Sequence, residues 1–167
     1  MIDCVWLPEL VLCDDLSKWT EYEQIIYSIF CQDFIETRPQ YCGKPVYIRK
    51  HPIEQGKEEA FFHVTCQDYS KSGNRVPDLR RCERIRWVRS FIENYNCDST
   101  QCPTCDGVKV WCEQYKMYTR THILLEEERY MVVVENRAEF NLLITAFYFD
   151  MDHKLEKALK RYHRAQK

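Results

Sequence analysis

The sequence predicts an α+β fold: an antiparallel sheet of about four to five strands, with N- and C-terminal helices packed on it and a small four-cysteine zinc loop. Three observations predict it. The order of patterns is a helical period first, short alternating runs next, then three apolar runs joined by tight turns and a closing amphipathic stretch. The 167 residues are enough to close one core but few for two, so residues 1–167 read as a single domain with 97–112 as an insertion. The composition, 45% hydrophobic and 14% aromatic with only four Gly and six Pro, supplies that core and excludes collagen-like or linker-rich chains.

In chain order, Ser17 to Ile35 places Trp19, Tyr22, Ile25, Ile26, Ile29 and Phe30 at helical intervals behind Asp14, Asp15 and Ser17 as caps. Arg38-Pro39 closes that helix. Lys44 to Lys50 and Ala60 to Gln67 alternate and read as strands, separated by His51-Pro52 and a polar turn containing Gly56. Ser70 to Pro77 reads as a loop. Asp78 then caps a short helix through Arg86, or Arg84 to Ile92 is extended; periodicity does not decide. Thr119 to Glu127, Tyr130 to Glu135 and Phe140 to Phe149 read as strands of an antiparallel meander, turning at Glu128-Arg129 and at Asn136 to Glu139. Asp150 to Lys167 is a helix with Leu155, Ala158, Leu159 and Tyr162 on one face and basic residues on the other. No internal repeat is present.

The charge balance excludes a globally basic nucleic-acid coat but not a local patch: 24 Lys+Arg face 26 Asp+Glu, a net of -2. No apolar run reaches the roughly 18 residues that cross a bilayer. Met1 to Leu16 carries Asp3, Glu9, Asp14 and Asp15 and does not resemble a signal peptide, so the expected location is cytoplasmic, without membrane partners. In that reducing compartment the ten cysteines are expected as thiols, with Cys4, Cys13, Cys31, Cys42, Cys66 and Cys82 filling space.

Cys97, Cys102, Cys105 and Cys112 crowd into sixteen residues with the spacing x4, x2, x6. Four thiolates satisfy tetrahedral zinc and leave no open position, so the expected metal is structural. The opposing reading makes Cys102 and Cys105 exposed loop thiols and Cys112 a strand residue beside Trp111. Arg81, Arg84 and Arg86 with Trp87 offer phosphate forks and a stacking ring for single-stranded RNA, or else a solvated, ion-paired face. His51 and His63 supply a general base and a general acid, and Arg137 and Thr145 a cation and a hydroxyl for a phosphorane. Tyr148 lies three residues beyond Thr145, so only one of the two faces a given cleft unless a bulge intervenes. His122, His153 and His163 read as structural. Nothing matches a Gly-rich phosphate loop, a GxSxG elbow or HExxH, which removes nucleotide-dependent and zinc-peptidase readings.

Three runs carry a resemblance: IRKHP (48–52) with FFHVT (61–65), LRRCERIRWVRSFIEN (79–94), and YMVVVENR (130–137) with ITAFYF (144–149). From about His51 to His153 the chain resembles small proteins encoded by phages and mobile elements. Their pattern is similar to the barnase, EndoU, colicin and RelE-like (BECR) nuclease class. The resemblance implies helical material on an antiparallel sheet of about four strands, and metal-independent RNA cleavage. It assigns active roles to His51 or His63, to Arg81, Arg84 or Arg137, and to Thr145 or Tyr148. The four-cysteine loop departs from the simplest members. The resulting expectation is a toxin-type endoribonuclease acting by 2′-hydroxyl transesterification, with RNA and an inhibitor protein as partners. The alternative is a non-catalytic, zinc-stabilised module binding protein or nucleic acid.

Overall fold

The computed structural model describes residues 4–69, 74–100 and 102–167. Among these residues the fold is α+β, with five α-helices, a six-stranded mixed sheet and a two-stranded one. Asp15 caps the first turn, its carboxylate accepting the Ser17 N–H at 3.0 Å. A 3₁₀ turn leads into α1 (Trp19–Cys31), which buries Tyr22, Ile26, Ile29 and Phe30 and ends in a π turn over Gln32–Glu36.

Strands β1 (Gln40–Tyr41) and β2 (Lys44–Tyr47) form a tight hairpin. Cys42 and Gly43 both take positive φ there, as a two-residue primed turn requires. The run expected as a second strand is instead α2 (Glu59–Thr65), followed by β3 (Cys66–Tyr69). The carbonyls of Arg49 and Lys50 accept the N–H groups of Ala60 and Glu59, satisfying donors that a short helix start leaves open. Burial of Ala60, Phe61, Phe62, Val64 and Thr65 overrides the strand preference of FFHVT.

Of the expected loop Ser70 to Pro77, residues 70–73 lie outside the described residues, and Asn74–Pro77 is strand β4, paired with β3. Asp78 caps α3 (Leu79–Glu83), and after a break at Arg84 the chain continues helically as α4 (Ile85–Glu93), which removes the extended alternative. Then come β5 (Lys109–Tyr115), β6 (Tyr118–Leu125), β7 (Tyr130–Asn136), β8 (Asn141–Tyr148) and α5 (Asp152–Ala165).

The sheet order is β1-β2-β8-β7-β6-β5. The meander β5 to β8 is antiparallel as expected, with β5 added to it. The purely antiparallel expectation is corrected by β2, which pairs with β8 in parallel through Val46 and Tyr47 only. Helices cover both faces. Ile123, Val132, Val134, Leu143 and Ala146 pack under α1, α2 and α4. Leu124, Met131 and Val133 point the other way and pack with Trp111 and Phe149 under Leu155 and Ala158 of α5. Because β7 is buried on both faces, its YMVVV run is continuously apolar rather than alternating. No helix among the described residues is long and apolar enough to cross a membrane.

Candidate nucleic-acid interface

Beyond Leu142 the outer edge of β8 has no strand partner among the described residues, and α2 and α3 pack against it instead. The pairing Val133↔Thr145 then Val134↔Leu143 leaves Ile144 as a bulge residue. Thr145 donates its hydroxyl to the His63 carbonyl at 3.0 Å, latching α2 to the strand.

Around this junction lies a cavity of about 460 Å³, lined by Arg49, Phe62, His63, Cys66, Arg75, Arg81, Arg120, Ile144, Thr145 and Phe147. Arg49 and Arg120 also line a neighbouring depression of about 330 Å³ with Tyr115, Lys116, Met117, Tyr118, Glu135 and Arg137. The shared residues make one cleft whose described lining holds six cations (Arg49, Arg75, Arg81, Lys116, Arg120, Arg137) and the carboxylate of Glu135, while Glu54 and Glu59 pair with Arg75 and Asp78 pairs with Arg81.

The cations are held rather than loose. Glu135, only 2% exposed, accepts Arg120 Nε at 2.9 Å on one oxygen and Arg137 Nε and Nη2 at 2.9 and 2.6 Å on the other. Burial alone would raise the Glu135 carboxyl, but hydrogen bonds and charge from Arg120 and Arg137 outweigh it and leave its pKa below the ordinary value. Arg120 also lies over the Tyr115 ring at 3.5 Å and Arg137 over Tyr118 at 3.6 Å. Arg81 donates through Nη1 to the carbonyls of His63 and Cys66. Two cavity donors, Arg75 Nη1 and Arg81 Nε, are buried without a hydrogen bond among the described residues but keep ion-pair partners, Glu54 Oε2 at 3.9 Å and Asp78 Oδ2 at 3.6 Å.

His63 sits on α2, not on a strand, with Nε2 3.0 Å from Glu59 Oε1. The same Glu59 oxygen is 3.6 Å from Arg75 Nη2. His51 is exposed in the turn before α2 and lines neither part of the cleft, so the expected pair is not brought together there. Arg137 and Thr145 do join the cleft. Tyr148 does not: it lies on the opposite face, its ring covered by Arg84 at 4.6 Å.

The arginine segment divides. Arg81 reaches the cavity and Arg86 is exposed on α4. Arg84 is buried between the Trp87 and Tyr148 rings and donates to the Arg80 carbonyl. Trp87 is 0% exposed, stacked on Phe91, with Nε1 donating to the Pro8 carbonyl. Arg84 and Trp87 are therefore core residues and correct the expectation that they contact RNA. His122 is structural as expected, stacked on Trp111, and burial lowers its pKa.

The expected zinc set is also divided. Cys97, Cys102 and Cys105 belong to the loop before β5, whereas Cys112 is an exposed residue inside β5, its Sγ 3.4 Å from Thr121 Oγ1 of the facing strand. Three strand steps from Lys109 carry Cys112 about 10 Å beyond the loop.

Arg49, Glu59, Arg75, Arg120 and Glu135 were not singled out by the sequence. The usable signal was the alternation of β6, which places Arg120 on the face opposite Thr119 and Thr121 and across from an acid in the next strand. Comparison with family models, with curated proteins and with solved structures finds no match.

Proposed function

We propose that the cleft binds the phosphate backbone of single-stranded RNA and that His63 acts there in metal-independent cleavage by 2′-hydroxyl attack. The carrying observation is the convergence of His63, Thr145, Arg75, Arg81 and Arg120 on one cavity. In this reading Glu59 fixes one ring nitrogen of His63, and the other accepts the 2′-hydroxyl proton. Arg75, Arg120 and Arg137 meet the charge that develops on the phosphorane. The 5′-oxygen leaves with a proton from water, and the product carries a 2′,3′-cyclic phosphate. In this reading the chain is a toxin-type endoribonuclease, as expected from the BECR-like sequence pattern, with an inhibitor protein as its partner.

A second reading is favoured by the position of His51 outside the cleft: a module that grips RNA without cutting it. A labelled single-stranded RNA incubated with protein in EDTA separates the two. Cleavage should fall about 10²–10⁴-fold in His63→Ala and persist in His51→Ala. Binding by three or four cleft cations should weaken by about two to three log units per log unit of salt. Binding with that slope but no cut of any RNA would leave the second reading; no binding at all would remove both.

A further inference from the structure

Resting on the reading that the cleft holds RNA, we propose that helix α5 is a second RNA-binding surface. Its stripe of Lys154, Lys157, Arg161 and Arg164 takes the phosphates of the strand that continues out of the cleft. The helix and the cleft lie side by side on one face of the sheet. Glu113, Arg120 and Glu135 are register partners across β5, β6 and β7, and Val133 pairs with Thr145 across β7 and β8, so all five side chains share a face. On that face Val133 and Trp111, each two residues from one of those acids, pack under Leu155 and Ala158 of α5.

Two contacts fix which flank of α5 looks toward the cleft. Near its start, Lys154 lines a depression of about 290 Å³ with Arg81 and Phe147, both of which also line the cleft. Near its end, Arg161 Nε stands 3.4 Å from Glu113 Oε2, at the strand position facing Arg120. Lys154 and Arg161 are two helical turns apart and mark one side of the helix. Lys157 and Arg164 continue that row at helical spacing. The row rises about 15 Å, the length of about four nucleotides at roughly 3.4 Å each.

The charge along this row is not balanced by the fold. Lys154, Lys157 and Arg164 are exposed and hold no ion pair among the described residues. Asp150 lines the depression beside Lys154, Glu113 pairs with Arg161, and the acids of the helix itself, Asp152 and Glu156, fall outside the row. Like charges three and four residues apart destabilise a helix, so a polyanion lying along the row relieves a repulsion that the folded chain leaves in place. The chain as a whole carries a net charge of -2, so this surplus is local. An anionic membrane is the poorer fit, because the apolar face of α5 is spent on the sheet through Leu155 and Ala158 and none of it is left to enter a bilayer.

The test is the salt dependence with which the full chain binds labelled single-stranded RNAs of about 4 and about 16 nucleotides, 2′-O-methylated so that no cleavage intervenes. Lys154→Gln combined with Lys157→Gln should lower the salt slope for the longer RNA by about 1.4 log units per log unit of salt, two contacts at about 0.7 each, and leave the shorter RNA bound as in wild type. Lys160→Gln combined with Lys167→Gln takes the same charge from positions turned toward the flank of Glu156 and should change neither RNA. Far-UV circular dichroism checks that both double variants fold. A wild-type slope in the Lys154 and Lys157 variant, or equal losses in the two double variants, would overturn this assignment and leave the cleft reading standing. Wild type that binds neither RNA would remove both. Wild type that sediments with phosphatidylserine vesicles, and loses that in the Lys154 and Lys157 variant while RNA binding stays the same, would overturn it in favour of a membrane surface.

Discussion

Glu135→Gln should destabilise the protein while strengthening its grip on RNA. Glu135 accepts three N–H bonds from Arg120 and Arg137, and the amide can keep only part of them. Removing one partner of a fully buried pair costs about 3–5 kcal/mol. Here the arginine side chains are 19% and 24% exposed, so water replaces some of the loss. The expected cost is about 2–3 kcal/mol, a fall of about 4–12 °C in Tm for a chain of this size. The same change removes a negative charge from the described lining of the cleft. A unit charge about 6 Å from a phosphate in a water-like dielectric is worth about 0.7 kcal/mol, or about threefold in affinity at low salt.

The pH dependence supplies the sign. Because the folded carboxyl has a pKa below its ordinary value, its contribution is present above about pH 4.5 and is lost as the pH falls through the folded value. Urea denaturation across pH 3 to 7 should therefore show a stability difference between wild type and Glu135→Gln that is full at pH 7 and shrinks toward pH 3. Equal stability at pH 7, or a folded variant whose RNA affinity drops, would refute the arrangement of Arg120 and Arg137 around Glu135.

Trp87→Ala should cost about 3–5 kcal/mol as a large core truncation, and Arg84→Met, which keeps the buried stem, about 1–2 kcal/mol. Urea melts should show both losses, Arg86→Ala should be near neutral, and none of the folded variants should change the salt slope of RNA binding. Gly107→Ala should loosen the 97–108 turn, read as faster amide exchange of Val108, while exchange in β7 stays as in wild type.

The elements that the sequence made legible are those whose own pattern matches their surroundings. The meander β6 to β8 and the helix α5 bury the residues that their periods select, so Leu124, Val132 and Leu155 are core residues in pattern and in structure alike. The segment FFHVT was misread because its helicity is decided by the carbonyls of Arg49 and Lys50 and by burial under α1, neither of which is local. The parallel pairing of β2 has no local signature for the same reason. In the candidate site, Arg137 and Thr145 line the cleft from the strand end and strand on which their sequence pattern puts them. Trp87 and Arg84 were misassigned because an arginine beside an aromatic ring looks the same in sequence whether the ring faces solvent or the core. The bulge at Ile144, which decides that Ile144 and Thr145 share the cavity, leaves no mark in the residues themselves.

The cleft follows from the places where the sheet is left uncovered. α5 packs over Trp111, Leu124, Met131 and Val133, and the cleft beside that cluster brings Arg120, Glu135 and Thr145 next to Ile144 and Phe147. The two-residue pairing of β2 leaves most of the β8 edge to α2, and that edge is where His63 and Arg81 enter. Crowding six cations along such a cleft is unfavourable for the free protein, since like charges repel. Glu59, Asp78 and Glu135 offset part of this, and the Tyr115 and Tyr118 faces another part. The compensation orients the guanidinium groups before any ligand arrives, which lowers the ordering cost of binding a phosphate chain. A cluster of arginines serving stability alone would be matched by carboxylates, as Arg89 is by Glu93 on α4; here Arg75, Arg81, Arg120 and Arg137 are matched, and the proposal that the cleft takes a phosphate chain turns on the charge that those pairs do not offset.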